Sequence, residues 1–249
     1  MNIFKSLFGT KSKEIFDLNE LKVDMHSHLI PGIDDGSQSM DETVEMLLRF
    51  VELGYVKVVT TPHIMQDHYP NTKEIIIEGV KEVRKTIIEE NIPIEIEAAA
   101  EYYFDEFLFD KIKNGELLTF GDNYVLFEFS FATKPNNIDQ LIFDFKSNNY
   151  KPVLAHFERY GFFLENGVEE ATKLRDKGVL IQMNLSSLTG HYGKAIQKQA
   201  ELLIDHKLID FVGTDCHRLD HLETIANGRT LKYFNKLGDL DLLNRKLYN

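Results

Sequence analysis

The chain has 249 residues, 43% of them hydrophobic and 27% charged, enough to bury one large core without a second domain. Its 28 Lys and Arg face 40 Asp and Glu, a formal net charge of -12, which argues against nucleic acid or an anionic membrane as partner. The single cysteine, Cys216, excludes a disulfide framework and a thiolate zinc site, and no apolar run approaches the roughly 20 residues of a membrane span, so a cytoplasmic protein without a secretory signal is expected.

At the start of the chain, residues 1–13 place Ile3, Phe4, Leu7 and Phe8 at helical spacing beside Lys5, Lys11 and Lys13. This pattern predicts either a frayed helix capping the fold or a small amphipathic segment on a membrane or partner, within an N-terminal extension over 1–20. Apolar runs rich in β-branched residues then predict strands at 21–26, 56–61, 94–100, 124–129, 152–156, 179–185 and 211–214. Segments of helical period follow each of them, at 41–53, 72–90, 104–114, 138–148, 167–177, 192–206 and 222–237. Seven β-then-α units without a linker predict a single α/β domain over 1–249, a distorted (β/α)7 TIM-like barrel related to the eight-stranded form. Gly190 to Lys194 is too short for a phosphate-cradling P-loop and is read as a turn.

In a parallel barrel the chemistry sits at the C-terminal ends of the strands. The first run ends Asp24-Met25-His26-Ser27-His28, where alternation points both imidazoles the same way. The later ends carry His63, Glu101, Glu128, His156 and the pair Asp215 and His217. A lone histidine or glutamate at a strand end is usually a hydrogen-bonded or solvated side chain. Six of seven ends so equipped are another matter, since burying that many titratable groups together without a cation is prohibitively costly. A polynuclear metal site is therefore predicted, and Asp34 and Asp35 in the following loop either add a carboxylate from above or form an ordinary turn before Gly36.

The ordered set resembles the polymerase-and-histidinol-phosphatase (PHP) superfamily, and within it the metal-dependent protein tyrosine phosphatases of the CpsB/CapC type, found with bacterial capsular and exopolysaccharide synthesis. The residues that carry the resemblance are Asp24 to His28, Pro31-Gly32-Ile33-Asp34-Asp35-Gly36, Thr60-Thr61-Pro62-His63, Glu101, Glu128, Ala155 to Tyr160, Gln182-Met183-Asn184 with Ser187-Leu188, and Thr214-Asp215-Cys216-His217. It implies the PHP fold and a trinuclear cluster held by His26, His28, Asp35, His63, Glu101, Glu128, His156, Asp215 and His217, with Glu128 as a bridge. Manganese is the implied metal, with Fe, Zn, Co or Mg as substitutes, and Arg159 the implied phosphate-binding side chain.

Four carboxylates against three divalent ions leave the site at about +2, attractive to a phosphomonoester dianion. Glu128, Asp215 and Arg159 are the expected catalytic groups, and hydroxide attack on phosphorus needs no covalent phosphoenzyme. A cysteine phosphatase is excluded, because its loop requires Arg six positions after the nucleophile and Leu222 stands there. Cys216 should point into packing, and Arg218 is read equally as a second cationic contact or a surface ion pair. Of the remaining histidines, His68 is the one expected nearest the site, and Tyr69, Tyr102 and Tyr103 are expected around the pocket. The implied substrate is the phosphorylated tyrosine-rich tail of a bacterial tyrosine autokinase. The alternatives are a histidinol-phosphate phosphatase-like PHP enzyme and a catalytically idle kinase-binding scaffold.

Overall fold

The computed structural model describes residues 15–248, so the amphipathic segment at 1–13 lies outside the described residues. A 3-10 turn over Leu18–Glu20, capped by the Asp17 carboxylate, leads into β1 (Val23–Asp24). Ser39 accepts from the Glu42 amide and starts α1 (Met40–Glu52), whose Thr43, Met46, Leu47 and Phe50 form one buried face. β2 (Lys57–Thr60) and β3 (His63–Ile64) precede α2 (Lys73–Glu89), which is capped by Thr72 and buries Ile76, Val80, Val83 and Ile87. Next come β4 (Glu95–Ala98), β5 (Glu101–Tyr103) and α3 (Glu106–Asn114). Gly115 ends α3 at φ +70°, a left-handed closing position that suits glycine. The chain continues through β6 (Tyr124–Glu128), α4 (Ile138–Ser147), β7 (Lys151–Leu154), α5 (Gly167–Asp176), β8 (Leu180–Asn184), α6 (Lys194–Asp205), β9 (Phe211–Gly213), α7 (Leu219–Gly228) and α8 (Lys232–Lys236).

Every strand ladder among the described residues is parallel. One sheet has the order β1-β2-β4 and the other β3-β5-β6-β7-β8-β9. Where the sequence predicts seven strands the structure has nine segments, because the second and third runs are each interrupted. Pro62, which has no N–H to donate, interrupts the second run. The third pauses at Ala99-Ala100. Hydrogen bonds from Ala99 N to Thr60 O and from Glu101 N to Pro62 O carry the pairing across both interruptions, at 2.9 and 3.1 Å. His63 and Glu101 thus begin resumed strands and do not end the original ones.

The sheet curls until its first and last members meet, and side chains close most of that seam. Asn244 donates to Val23 O and Val212 O and accepts from Val212 N, while the Asp24 carboxylate accepts from Thr214 N and Oγ1. Above them a single parallel bridge joins Ser27 to Cys216. Inside the curl, Val23, Met25, Val59, Ala99, Leu126, Val153, Ala155 and Phe211 pack together, and Leu247 from the end of the chain sits against them. The larger apolar layer lies between strands and helices.

Two expectations need correction. The helix read at 222–237 is two, α7 and α8, separated by residues 229–231. Phe16 and Leu18, placed by sequence in an N-terminal extension, are buried in the core. Among the described residues no helix is long and apolar enough to cross a membrane.

Candidate metal centre

The nine predicted donors meet at one end of the curled sheet, and each has a ligand atom within 3.5 Å of another. Glu101 lies at the centre and is fully buried. Its Oε2 is 3.2 Å from His26 Nε2, 3.4 Å from His28 Nε2 and 3.2 Å from His63 Nδ1, and its Oε1 is 3.0 Å from His156 Nε2. Asp215 Oδ1 approaches His26, His28 and His217 at 3.3, 3.5 and 3.4 Å. Asp35 reaches His63 and His217 from the loop above. Both His156 and Asp215 hold positive φ, 34° and 51°, a left-handed backbone that costs about 1–2 kcal/mol in a residue with a Cβ and that turns these side chains inward.

A surrounding layer fixes which nitrogen His26 and His28 present. Gln182 Oε1 accepts from His26 Nδ1 at 3.1 Å and from the His156 amide at 2.7 Å, so the His26 proton sits on Nδ1 and its Nε2 faces Glu101. Gln182 donates in turn to Asn184, and Asn184 donates to Asp215 Oδ2. Asp34 accepts from His28 Nδ1 at 2.8 Å and from the His63 amide at 3.1 Å. Of the two tandem aspartates, Asp35 therefore enters the cluster and Asp34 orients a histidine from behind it. Carboxylate-to-imidazole contacts of this kind set the tautomer of metal-binding histidines.

Seven of the nine donors form three overlapping groups compact enough for a cation: His28, Asp35, His63 and His217; His26, His28 and Glu101; and His63, Glu101 and Glu128. A neutral imidazole has one lone pair, so His63 serves only one of its two groups. The chemistry of the set fits hard and borderline divalent ions. Two buried atoms support that fit: His63 Nδ1 and Glu128 Oε1 face each other at 3.1 Å, and neither has a hydrogen-bond partner. Orphaned donors of this kind are rare unless a ligand completes them.

Protein charges alone hold protons in the cluster. Burial opposes a charged His63, but the Glu101 and Glu128 carboxylates outweigh it and raise its pKa to about 9. His26 and His28 are likewise raised against burial, by Glu101 and Asp215 and chiefly by Asp34, respectively. Glu101 and Asp215 are lowered well below the carboxylate range, burial being overcome by the facing imidazoles. For His63, a folded pKa above the ordinary 6.5 adds stability that is complete below 6.5 and is lost as pH rises through about 9. Chelator-treated protein is therefore expected to melt at falling temperature from pH 7 to pH 10, and divalent metal, which displaces those protons, to reverse the fall. Thermal melts across that range check this, and a melting temperature that rises with pH in the chelated protein contradicts it.

A cavity of about 530 Å³ opens over the cluster. Its walls include Tyr69, Tyr103, Phe131, Arg159, Tyr192 and Arg218. Tyr69 stacks on His63. Tyr102, expected at the pocket, instead points into the core, where its hydroxyl accepts from Leu118 N. Arg159 pairs with Asp215 at 3.0 Å, whereas Glu158 is buried against Asn184 N and Ser187 Oγ. Arg218 lines the cavity and also approaches Asp220 and His221. Cys216 packs against Met46, as the strand alternation predicts. His68 reaches the cavity, and so do His191, Tyr192 and His221, which sequence reasoning had not placed there. Nothing in their local pattern distinguishes these last three from surface residues.

A family model described as capsular polysaccharide synthesis, CpsB/CapC, matches residues 22–230. The chain is 30% identical over 198 residues to the tyrosine-protein phosphatase YwqE of Bacillus subtilis (strain 168), covering 79% of this chain and 78% of that protein. Identity to the tyrosine-protein phosphatase CpsB of Streptococcus pneumoniae is 29% over 204 residues, 80% of this chain and 84% of the other. A chain from the crystal structures of these two proteins, described as unique metal-dependent tyrosine phosphatases, superposes with a TM-score of 0.80 at 28% identity, over 91% of each chain. Histidinol phosphate phosphatase from Lactococcus lactis subsp. lactis shares the fold alone, with a TM-score of 0.53 and 15% identity over 84% of this chain and 93% of that one.

Proposed function

The chain belongs to the CpsB/CapC family of capsular polysaccharide synthesis, and from that premise we propose that it is a metal-dependent protein tyrosine phosphatase. The observation that carries this reading is the convergence of His26, His28, Asp35, His63, Glu101, Glu128, His156, Asp215 and His217 below a cavity walled by Arg159 and aromatic rings. These nine residues would hold three divalent ions, with Glu128 as a shared carboxylate ligand and manganese as the assigned metal. Bound there, divalent cations supply Lewis acidity toward phosphoryl oxygens and a hydroxide nucleophile near neutral pH. The nine strand segments are read as seven units of a distorted PHP-type barrel.

The protein's own groups orient the ester. Arg159 offers planar N–H donors to a non-bridging phosphoryl oxygen, a geometry that suits phosphate better than a point charge does. Asp215 holds that guanidinium at 3.0 Å, and Asn184 holds Asp215. Tyr69, Tyr103 and Phe131 line the wall where the tyrosyl ring lies and shield it from water. The substrate assigned to the site is the tyrosine-rich tail of a bacterial tyrosine autokinase, met in the cytoplasm, where the lone Cys216 stays reduced.

The test is hydrolysis of a phosphotyrosyl peptide and of histidinol phosphate before chelation, after it, and after manganese is restored. Peptide hydrolysis lost on chelation and regained with manganese supports the proposal. Activity confined to histidinol phosphate overturns the substrate, and metal binding without hydrolysis of either compound overturns the enzyme.

A further inference from the structure

Arg159 lies against two aromatic rings. Its guanidinium carbon lies 4.6 Å from the centroid of Phe131 and 4.3 Å from that of Tyr192. The rings come from separate loops, Phe131 from the segment after β6 and Tyr192 from the turn before α6. Each is itself supported. Phe131, 44% exposed, stacks on Tyr160, whose hydroxyl accepts from Phe129 N, and the Tyr192 hydroxyl lies 3.4 Å from Ser186 Oγ. Two ring contacts and the Nη1 hydrogen bond to Asp215 together restrict how the guanidinium can turn. Arg218, on the same cavity, has a 65% exposed side chain.

We propose that Phe131 and Tyr192 are positioning residues for phosphate-ester recognition: they clamp Arg159 so that its free N–H edge meets the phosphoryl group already oriented. The proposal deepens the phosphatase reading and rests on it. A free arginine loses considerable rotamer entropy when it fixes on an anion, and the rings remove that loss before substrate arrives. The faces of the rings also attract the cation directly, more strongly where water is excluded. Both effects act on the phosphate group, so they should appear in inorganic phosphate inhibition as well as in catalysis.

The experiment measures kcat, KM and inhibition by inorganic phosphate on a phosphotyrosyl peptide for the manganese-loaded protein and its variants Tyr192→Leu, Tyr192→Phe, Phe131→Leu, Arg159→Ala and Arg159→Ala with Tyr192→Leu, with metal content and melting temperature recorded for each. Tyr192→Leu and Phe131→Leu are expected to lower kcat/KM by about fivefold to thirtyfold each, the range of one partly desolvated cation–π contact, with phosphate inhibition weakened in parallel. Tyr192→Phe keeps the ring and restores both, and Tyr192→Leu adds no loss once Arg159 is alanine. The clamp is overturned if Tyr192→Leu costs its full factor in the Arg159→Ala background, or if Phe131→Leu, a half-exposed loop change that leaves folding intact, has no effect on phosphate inhibition. A wild-type protein that does not hydrolyse the peptide overturns the phosphatase reading itself.

Discussion

Replacing Glu101 with glutamine is expected to lower kcat/KM on a phosphotyrosyl peptide by at least about a thousandfold, equivalent to about 4 kcal/mol of transition-state stabilisation. The substitution is nearly isosteric, so the cause is electrostatic. Glu101 is buried and its two oxygens face four imidazoles, those of His26, His28, His63 and His156. A glutamine there cannot neutralise a cation, and its amide protons face some of the nitrogen lone pairs that the surrounding layer aims inward. Two of the three compact donor groups contain Glu101, so bound metal should fall along with activity. Elemental analysis of the purified variant beside steady-state kinetics checks both, and full metal content with activity within tenfold of wild type would remove Glu101 from the centre of the site.

Arg159→Ala is expected to lower kcat/KM about a hundredfold, the scale of losing one oriented donor to a developing anion, while metal content stays at the wild-type level. The separation follows from the contacts of Asp215. Its Oδ2 keeps the hydrogen bond from Asn184 when Arg159 is removed, and its Oδ1 still faces His26, His28 and His217. Arg159→Lys should recover little, because a lysine supplies neither the planar fork nor a surface for Phe131 and Tyr192 to stack on. Kinetics of the two variants with metal analysis decides the matter. A loss of metal in Arg159→Ala would make the residue a support of the cluster and not a contact of the phosphate.

Most strands and helices were legible in the sequence because their signal is local. Apolar runs and helical periodicity arise from neighbours a few residues apart, and the caps Ser39, Thr72 and Asp105 act within the same reach. The interruption at Pro62 had a visible cause, whereas the one at Ala99-Ala100 carries no breaker. Pairs such as His26 with His28 were legible for the same reason, since alternation fixes their common face whatever the rest of the chain does.

What the tertiary structure decided is which distant groups meet. Asp34 and Asp35 are chemically alike and adjacent, and only the path of the loop makes one a partner of His28 and brings the other to His63 and His217. The tautomer of His26 depends on Gln182, 156 positions away. Asn244 seals the seam between β1 and β9 from a segment with no strand or motif signal, and Tyr192 reaches Arg159 from a stretch that the sequence marks only as a turn into a helix. The composition of the site is thus written in short-range patterns that each strand carries by itself. Its tautomers, its clamp and its choice between neighbouring carboxylates arise only when the sheet curls, because closure alone brings residues far apart in the chain within the few ångströms over which hydrogen bonds and buried charges act.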